Sequence, residues 1–187
     1  MSASIVRRAA RPLVPWKNGM GRTREIAVYP PDAGSDNFVW RVSVAEVTSA
    51  APFSTFAGID RHIVLLDGAG FSMTLDQQTT HALVVPWRPF AFAGEAGVTV
   101  ALAGGPTLDF NLMVRRARAR GEVVAWCRPG ACPIDAQTVL VYAARGSIGT
   151  PDGRLQAGDT WLAPAAGADV TLAADSVALT VRITGIA

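Results

Sequence analysis

The sequence contains few cysteines and histidines, and their scarcity excludes several kinds of site. Cys127 and Cys132 are the two cysteines among 187 residues, too few for a disulfide scaffold or a zinc site, so we expect reduced thiols. His62 and His81 lie in different segments and form no His-x-His pair, the spacing typical of many divalent-metal sites. A hydrolytic triad, which needs a histidine between a carboxylate and an activated Ser or Cys, is also weakly supported. We therefore expect neither a metal nor a cofactor.

Long apolar runs and a large net charge are also missing. No stretch approaches the roughly 20 apolar residues that span a bilayer, and the start of the chain shows no apolar segment ahead of a cleavage site. The formal net charge of +2 gives no general attraction to nucleic acid or to acidic membranes. The sequence predicts a soluble, cytoplasmic protein that binds neither membrane nor nucleic acid directly. The one basic run is interpreted as a solvated linker and comprises Arg115, Arg116, Arg118 and Arg120.

Amphipathic helical periodicity does not extend beyond about two turns anywhere in the chain. Glycine, proline and β-branched residues instead recur at short intervals, which predicts an all-β protein. The pattern after residues 116–121 weakly repeats the first half, and this favours two jelly-roll lobes, 1–116 and 117–187, within one folding unit of residues 1–187. The main predicted strands are 25–29, 38–47, 59–66, 71–75, 83–85, 90–92, 98–102, 108–114, 139–143 and 177–183.

Three of these strands carry polar residues on a face whose neighbours are apolar. The residues concerned are Arg41 with Ser43, Arg61, and Asp109 with Asn111. A charged residue inside a barrel must be paired or must meet a ligand of opposite charge. One interpretation is therefore a cavity that binds a small dicarboxylate or acylated amino acid through arginine and asparagine side chains. The other is an internal ion pair of Arg41 or Arg61 with Glu25, Glu46, Asp60 or Asp109.

A dense polar segment at 15–26 precedes the first of these strands. Asn18-Gly19 is a turn dipeptide, and Gly21 allows another group to approach the backbone closely. The segment is either a solvated hairpin turn or part of a binding site. Its donors and its carboxylate are supplied by Lys17, Asn18, Arg22, Thr23 and Glu25.

This segment resembles the N-terminal signature of the HutD/Ves family, proteins associated with histidine utilisation. Residues 40–45, 52–56 with Gly58 and Arg61, and 109–116 resemble later blocks of that family in the same order. The resemblance covers roughly residues 12–116. It implies a cupin-like (RmlC-like jelly-roll) fold with two β-barrel lobes, a bicupin. It also implies a regulatory, ligand-binding role, with N-formylglutamate as the suggested ligand.

The residues and the resemblance together predict a non-catalytic protein that binds a small anionic metabolite, such as N-formylglutamate or urocanate, and modulates histidine utilisation. Two alternatives stay open: an isomerase or hydrolase of an acyl amino acid with Glu25 or Asp109 as general base, and a protein-interaction module. A homodimer is also left open. The predicted ligand-binding residues are Lys17, Asn18, Thr23, Glu25, Arg41, Ser43, Arg61, Asp109 and Asn111.

Overall fold

The computed structural model describes residues 4–16, 19–34, 36–50 and 52–185. Within them, β-strands account for all regular elements except a short 3-10 helix at Arg8–Ala10, which confirms the all-β prediction. No described helix has the length and apolar character needed to cross a membrane. The strands are β1 (Ser4–Val6), β2 (Val14–Pro15), β3 (Gly21–Tyr29), β4 (Trp40–Val47), β5 (Ile59–Asp67), β6 (Phe71–Leu75), β7 (Thr79–Leu83), β8 (Phe90–Ala93), β9 (Val98–Leu102), β10 (Thr107–Arg115), β11 (Ala119–Trp126), β12 (Gly130–Ile134), β13 (Thr138–Arg145), β14 (Ser147–Thr150), β15 (Gly153–Gln156), β16 (Thr160–Leu162), β17 (Ala168–Leu172) and β18 (Val177–Gly185).

The chain folds into two compact units. The first comprises residues 12–120, and the second comprises residues 4–11 together with 121–185. Residues 4–11 belong to the second unit because β1 pairs with β16. The lobe boundary inferred from the sequence, which placed the whole N-terminus in the first lobe, is therefore wrong for residues 4–11. A strand of three residues carries too little alternation to reveal its partner.

The first unit contains two antiparallel sheets. One has six strands in the order β2-β3-β4-β10-β5-β8, and the other has three strands in the order β7-β6-β9. Ile63 and Leu65 of β5 pack with Phe71 and Met73 of β6 in a buried cluster that joins the two sheets. Each such fully buried side chain contributes roughly 1.5–3 kcal/mol. This packing holds β5 firmly in the sheet.

The second unit repeats the arrangement with different residues. A five-stranded sheet has the order β1-β16-β13-β18-β11, and a four-stranded sheet has the order β12-β17-β14-β15. Trp161 is fully buried among Val141, Val170 and Leu172. Its indole nitrogen donates a 2.7 Å hydrogen bond to Asp152. The indole is thus buried without leaving its one polar atom unsatisfied.

Several short elements differ from the sequence predictions. Residues 83–85 are not a strand, because β7 ends at Leu83 and the next two valines are exposed. The basic run is not a solvated linker, since Arg116 makes 2.8 Å ion pairs with Asp60 and Glu95, and β11 starts at Ala119. Cys132 lies in strand β12, and the thiols of Cys127 and Cys132 are both free.

Candidate ligand-binding cavity

A cavity of about 490 Å³ lies on one face of the six-stranded sheet of the first unit. This volume falls within the roughly 300–1,000 Å³ typical of small-molecule sites. Strands β3, β4, β5 and β10 contribute side chains to its lining, as do Pro15, Trp16 and the segment 52–56 before β5. The cavity therefore belongs entirely to one unit.

The register of the strands brings polar residues that are distant in sequence onto this face. Directly paired residues of neighbouring antiparallel strands point to the same side of the sheet. Strands lie about 4.8 Å apart, so the Cα atoms of Arg41 and Arg61, two strands apart, are separated by about 10 Å. Three rows cross the sheet: an arginine row of Arg41, Met113 and Arg61, an amide row of Ser43, Asn111 and Ile63, and a carboxyl row of Thr23, Ala45 and Asp109.

Arg61 is buried, with 8% of its surface exposed. Its guanidinium carbon lies 4.9, 5.3 and 5.6 Å from the ring centres of Phe92, Phe53 and Phe56. One Nη donates a long 3.4 Å hydrogen bond to the carbonyl of Ser54, and Nε has no partner among the described residues. Burial lowers the pKa of Arg61 to about 10, so the group remains charged at neutral pH.

Arg41 forms an ion pair with Glu25, but this pair is partly exposed and not internal, and Arg61 forms none with a described residue. Arg41 Nε donates a 2.7 Å bond to Glu25, whose side chain is exposed and lies outside the cavity lining. Over the described ranges of the chain, no carboxylate forms an ion pair with Arg61. Since the rings of Phe53, Phe56 and Phe92 are the main compensation for its charge, the cavity contains a cation suited to an incoming anion.

Asp109 is fully buried and also lines the cavity. The Thr107 hydroxyl donates a 2.7 Å hydrogen bond to Oδ2, while Oδ1 has no partner in the described part of the protein. Burial raises the pKa of Asp109 to about 7, an effect that the Thr107 bond opposes. Next to it, Asn111 Nδ2 donates to the main-chain oxygen of Asp109 at 3.2 Å.

Trp16 connects the polar N-terminal segment to the cavity. Its indole nitrogen donates a 2.7 Å hydrogen bond to the Thr23 hydroxyl. A Cβ at Gly21 would lie 2.6 Å from the Glu46 carbonyl oxygen and 2.9 Å from the Trp16 ring, so only glycine fits there. In its described part, the segment is therefore both a hairpin and a wall of the cavity.

The segment that carries Phe53 and Phe56 is fixed at three points. The main-chain nitrogens of these residues donate to the carbonyls of Val98 at 2.9 Å and Gly94 at 2.7 Å. The Gly58 nitrogen donates to Glu95 at 2.7 Å. Hydrogen bonds from Arg116 and from the Gly58 amide lower the pKa of Glu95 to about 2. The rings are thus held over Arg61 by bonds outside the cavity.

Sequence comparison decides the family of this cavity-bearing chain. The sequence profile of the HutD family matches residues 8–180. The chain belongs to the HutD family. That family is associated with histidine utilisation operons.

Two relatives support this family assignment. The chain is 38% identical over 144 residues to an uncharacterised 21.2 kDa protein in the hutC 3' region of Pseudomonas putida, covering 77% of this chain and 75% of that protein. It is 43% identical over 109 residues to protein Ves of Cronobacter sakazakii, covering 58% of each.

Solved structures agree with the fold. HutD from Pseudomonas fluorescens SBW25, in a formate condition, matches with a TM-score of 0.86 and 30% identity over 100% of both chains. Protein Ylba from E. coli matches with a TM-score of 0.73 and 7% identity, over 97% of this chain and 90% of that one, and shows the fold alone. The fold is cupin-like with two β lobes in one chain, as the resemblance implied.

The cavity of this HutD family member contains six of the predicted ligand-binding residues. Glu25 lies outside its lining, although it is the cross-strand partner of the lining residue Ser43 and forms an ion pair with Arg41. Lys17 and Asn18 lie outside the described residues. In the ranges that the structure describes, no group of three His, Cys, Asp or Glu side chains could hold a metal ion. The residues brought together are Thr23, Arg41, Ser43, Arg61, Asp109 and Asn111.

Sequence reasoning missed the apolar part of the site. Met113 follows Asn111 on the same face of β10 and could have been found from the same alternation. Phe53 and Phe56 were recognised in a family block but not as cavity residues. One sequence feature could have identified them as cavity residues. Both aromatic residues lie in a short segment with proline and serine, immediately before the strand that carries Arg61. Trp16 carries no such signal, because its position depends on the β2–β3 hairpin.

Proposed function

We propose that this protein binds a small carboxylate metabolite of histidine breakdown, N-formylglutamate or a related acid, in the cavity of the first unit. Binding modulates histidine utilisation, and the ligand is released unchanged. The proposal depends above all on the environment of Arg61, a buried cation on the cavity wall. Three phenylalanine rings surround it, and no described carboxylate neutralises it.

A ligand carboxylate would complete the environment of Arg61. The planar guanidinium can donate two parallel hydrogen bonds to the two oxygens of a carboxylate. A hydrogen bond to a charged group contributes about 1.5–3 kcal/mol. The surrounding rings exclude water, which strengthens the attraction. Arg61 is therefore the proposed anchor of the ligand.

Other side chains of the cavity can contact the remaining groups of N-formylglutamate. That molecule has two carboxylates and a formamide. Arg41, at the partly exposed end of the arginine row, is available to a second negative charge. Asn111 carries an amide that can donate to the formyl oxygen. The apolar lining, including Ile63 and Met113, offers contacts to the methylene carbons.

The metabolic context supports the same class of ligand. The Pseudomonas putida relative is described by its place in the hutC 3' region. A protein of a histidine utilisation operon would respond usefully to an intermediate of that pathway. N-formylglutamate and urocanate both carry carboxylates, so both are candidates for the Arg61 anchor.

An enzyme remains the second candidate because of Asp109. A carboxyl group with a pKa of about 7 inside a cavity is suited to act as a general base near neutral pH. The corresponding activity would be isomerisation or hydrolysis of an acyl amino acid. Glu25, the other predicted base, lies outside the cavity lining.

Calorimetry combined with product analysis tests the proposal. Purified protein is titrated with N-formylglutamate, urocanate, glutamate and formate, and each mixture is then analysed for new compounds. We expect saturable binding of one of these acids, one per chain, with the ligand recovered intact. Release of formate and glutamate from N-formylglutamate would instead establish the hydrolase. Absence of binding by every acid would reject the ligand-binding role.

A further inference from the structure

We propose that Asp109, as a neutral carboxylic acid, recognises the end of the ligand farthest from the arginine row by donating a hydrogen bond to an oxygen there. The inference rests on the proposed function, because it assumes an anionic ligand held by Arg61. It narrows the ligand to an elongated acid with an oxygen acceptor at each end, such as an N-acyl amino acid or a dicarboxylate.

The position of the carboxyl group supports a donor role. Asp109 is fully buried, and its two oxygens have different surroundings. Oδ2 accepts the 2.7 Å hydrogen bond from the Thr107 hydroxyl, as the carbonyl oxygen of a carboxylic acid does. Oδ1 has no partner among the described residues. A proton on Oδ1 would therefore be a buried donor that lacks an acceptor, in a residue that lines the cavity.

The surroundings of this carboxyl group provide little compensation for a negative charge. The nearest paired positions are apolar, Ala45 on β4 and Leu65 on β5. The arginine row lies four residues along the strands, about 13 Å away between Cα atoms. Among the described residues, strands β3, β4, β5 and β10 present a few polar or charged side chains on this face. They are Thr107 and Asn111 on β10, Ser43 and Arg41 on β4, Arg61 on β5, and Thr23 and the Arg41-paired Glu25 on β3.

An anionic ligand reinforces the neutral form of Asp109. Burial already raises the pKa of this group to about 7. A carboxylate entering the same cavity adds a like charge and disfavours ionisation further. Binding above pH 7 must then be accompanied by proton uptake. The affinity is highest below pH 7 and falls by about tenfold per pH unit above it, until the complex also loses its proton.

Proton counting by calorimetry tests the inference. N-formylglutamate is titrated into the full-length protein at pH 6 and pH 8, each in two buffers with different ionisation enthalpies. The wild type should take up roughly half a proton or more at pH 8, and much less at pH 6. The ligand contributes nothing to this count, since its carboxyl groups titrate near pH 4. Asp109→Asn, which keeps a donor of similar shape, should bind without proton uptake and with the same affinity at both pH values.

The outcomes distinguish this inference from the proposed function. Binding of N-formylglutamate without proton uptake at pH 8 would overturn the role of Asp109 and leave ligand binding intact. Equal uptake by wild type and Asp109→Asn would also overturn it, because another group would then titrate. If Asp109→Asn does not fold, the proton uptake of the wild type at pH 8 and at pH 6 still tests the inference. Failure of all the tested acids to bind would reject both proposals.

Discussion

The guanidinium carbon of Arg61 lies 4.9 Å from the centre of the Phe92 ring, and the two residues are direct cross-strand partners on β5 and β8. Phe53 and Phe56 cover the same cation from the segment before β5. A desolvated cation–π contact is worth about 2 kcal/mol or more. The aromatic rings thus fix the arginine before any ligand arrives, which reduces the ordering cost of binding.

Replacing Arg61 tests the anchor directly. Arg61→Ala should weaken binding of N-formylglutamate about 10- to 100-fold, since each 1.4 kcal/mol is about a factor of ten. Arg61→Lys should recover part of the affinity, because an ammonium group cannot reproduce the planar fork. Calorimetric binding and thermal melting should be measured on the same preparations.

Stability and a surface arginine provide the controls for this experiment. No described carboxylate is left unpaired by Arg61→Ala, so we do not expect the loss of about 3–5 kcal/mol that follows breaking a buried ion pair. Arg22→Ala removes an exposed cation of the same sheet, which lies outside the cavity lining and pairs with Glu46 at 2.6 Å, and it should leave binding unchanged. If Arg61→Ala loses much of its unfolding free energy but binds N-formylglutamate with normal affinity, the role of Arg61 is structural.

Arg41 should contribute less to binding than Arg61. It is partly exposed, and Glu25 already offsets its charge. Arg41→Ala should reduce affinity for N-formylglutamate by less than about tenfold, since exposed ion pairs are worth roughly 0–1 kcal/mol. Glu25→Gln should strengthen binding modestly, because the charge of Arg41 is then uncompensated. A greater loss from Arg41→Ala than from Arg61→Ala, measured by the same calorimetry, would contradict this order.

Asp109 should make the stability of the unliganded protein depend on pH. Its pKa is about 7 in the folded protein against the ordinary value of 3.8. Between these two pKa values the folded state keeps a proton that the unfolded chain has released. The stabilisation that results from the raised pKa is complete below pH 3.8 and is lost as the pH rises to 7. Relative to Asp109→Asn, the wild type should lose about 2–3 kcal/mol of unfolding free energy between pH 5 and pH 8. Urea denaturation of both proteins measures their unfolding free energies. If the difference between wild type and Asp109→Asn is the same at every pH, Asp109 is not a buried group that titrates in this range.

Gly21 should be required for the position of Trp16. In Gly21→Ala the new Cβ would meet the Glu46 carbonyl at 2.6 Å and the Trp16 ring at 2.9 Å. We expect a stability loss of about 1–3 kcal/mol, as for other overpacked sites, together with a shift of tryptophan fluorescence. Gly149→Ala is the matched control in a strand, because its Cβ would come no closer than 3.7 Å to other atoms. Equal effects of the two substitutions would show that the contact at Gly21 is not special.

Strand alternation predicted much of the fold and of the polar site. Long strands such as β4 and β10 place apolar residues along one buried face with a period of two, which the sequence displays directly. Short strands such as β1 and β12 span only three to five residues. Over such lengths the alternation is indistinguishable from chance, and pairing with a distant partner decides the structure.

The sequence by itself determined that Arg41 shares a strand face with Ser43, that Asp109 shares one with Asn111, and that Arg61 lies on an otherwise apolar face, because the direction of a side chain in a strand depends only on its parity. It did not determine which of them would be paired. Only the tertiary structure decided that Arg41 contacts Glu25, while aromatic rings surround Arg61 and apolar paired positions flank Asp109. The physical reason is that contacts across a sheet depend on register, and register is set by the packing of whole strands rather than by the pattern within any one of them.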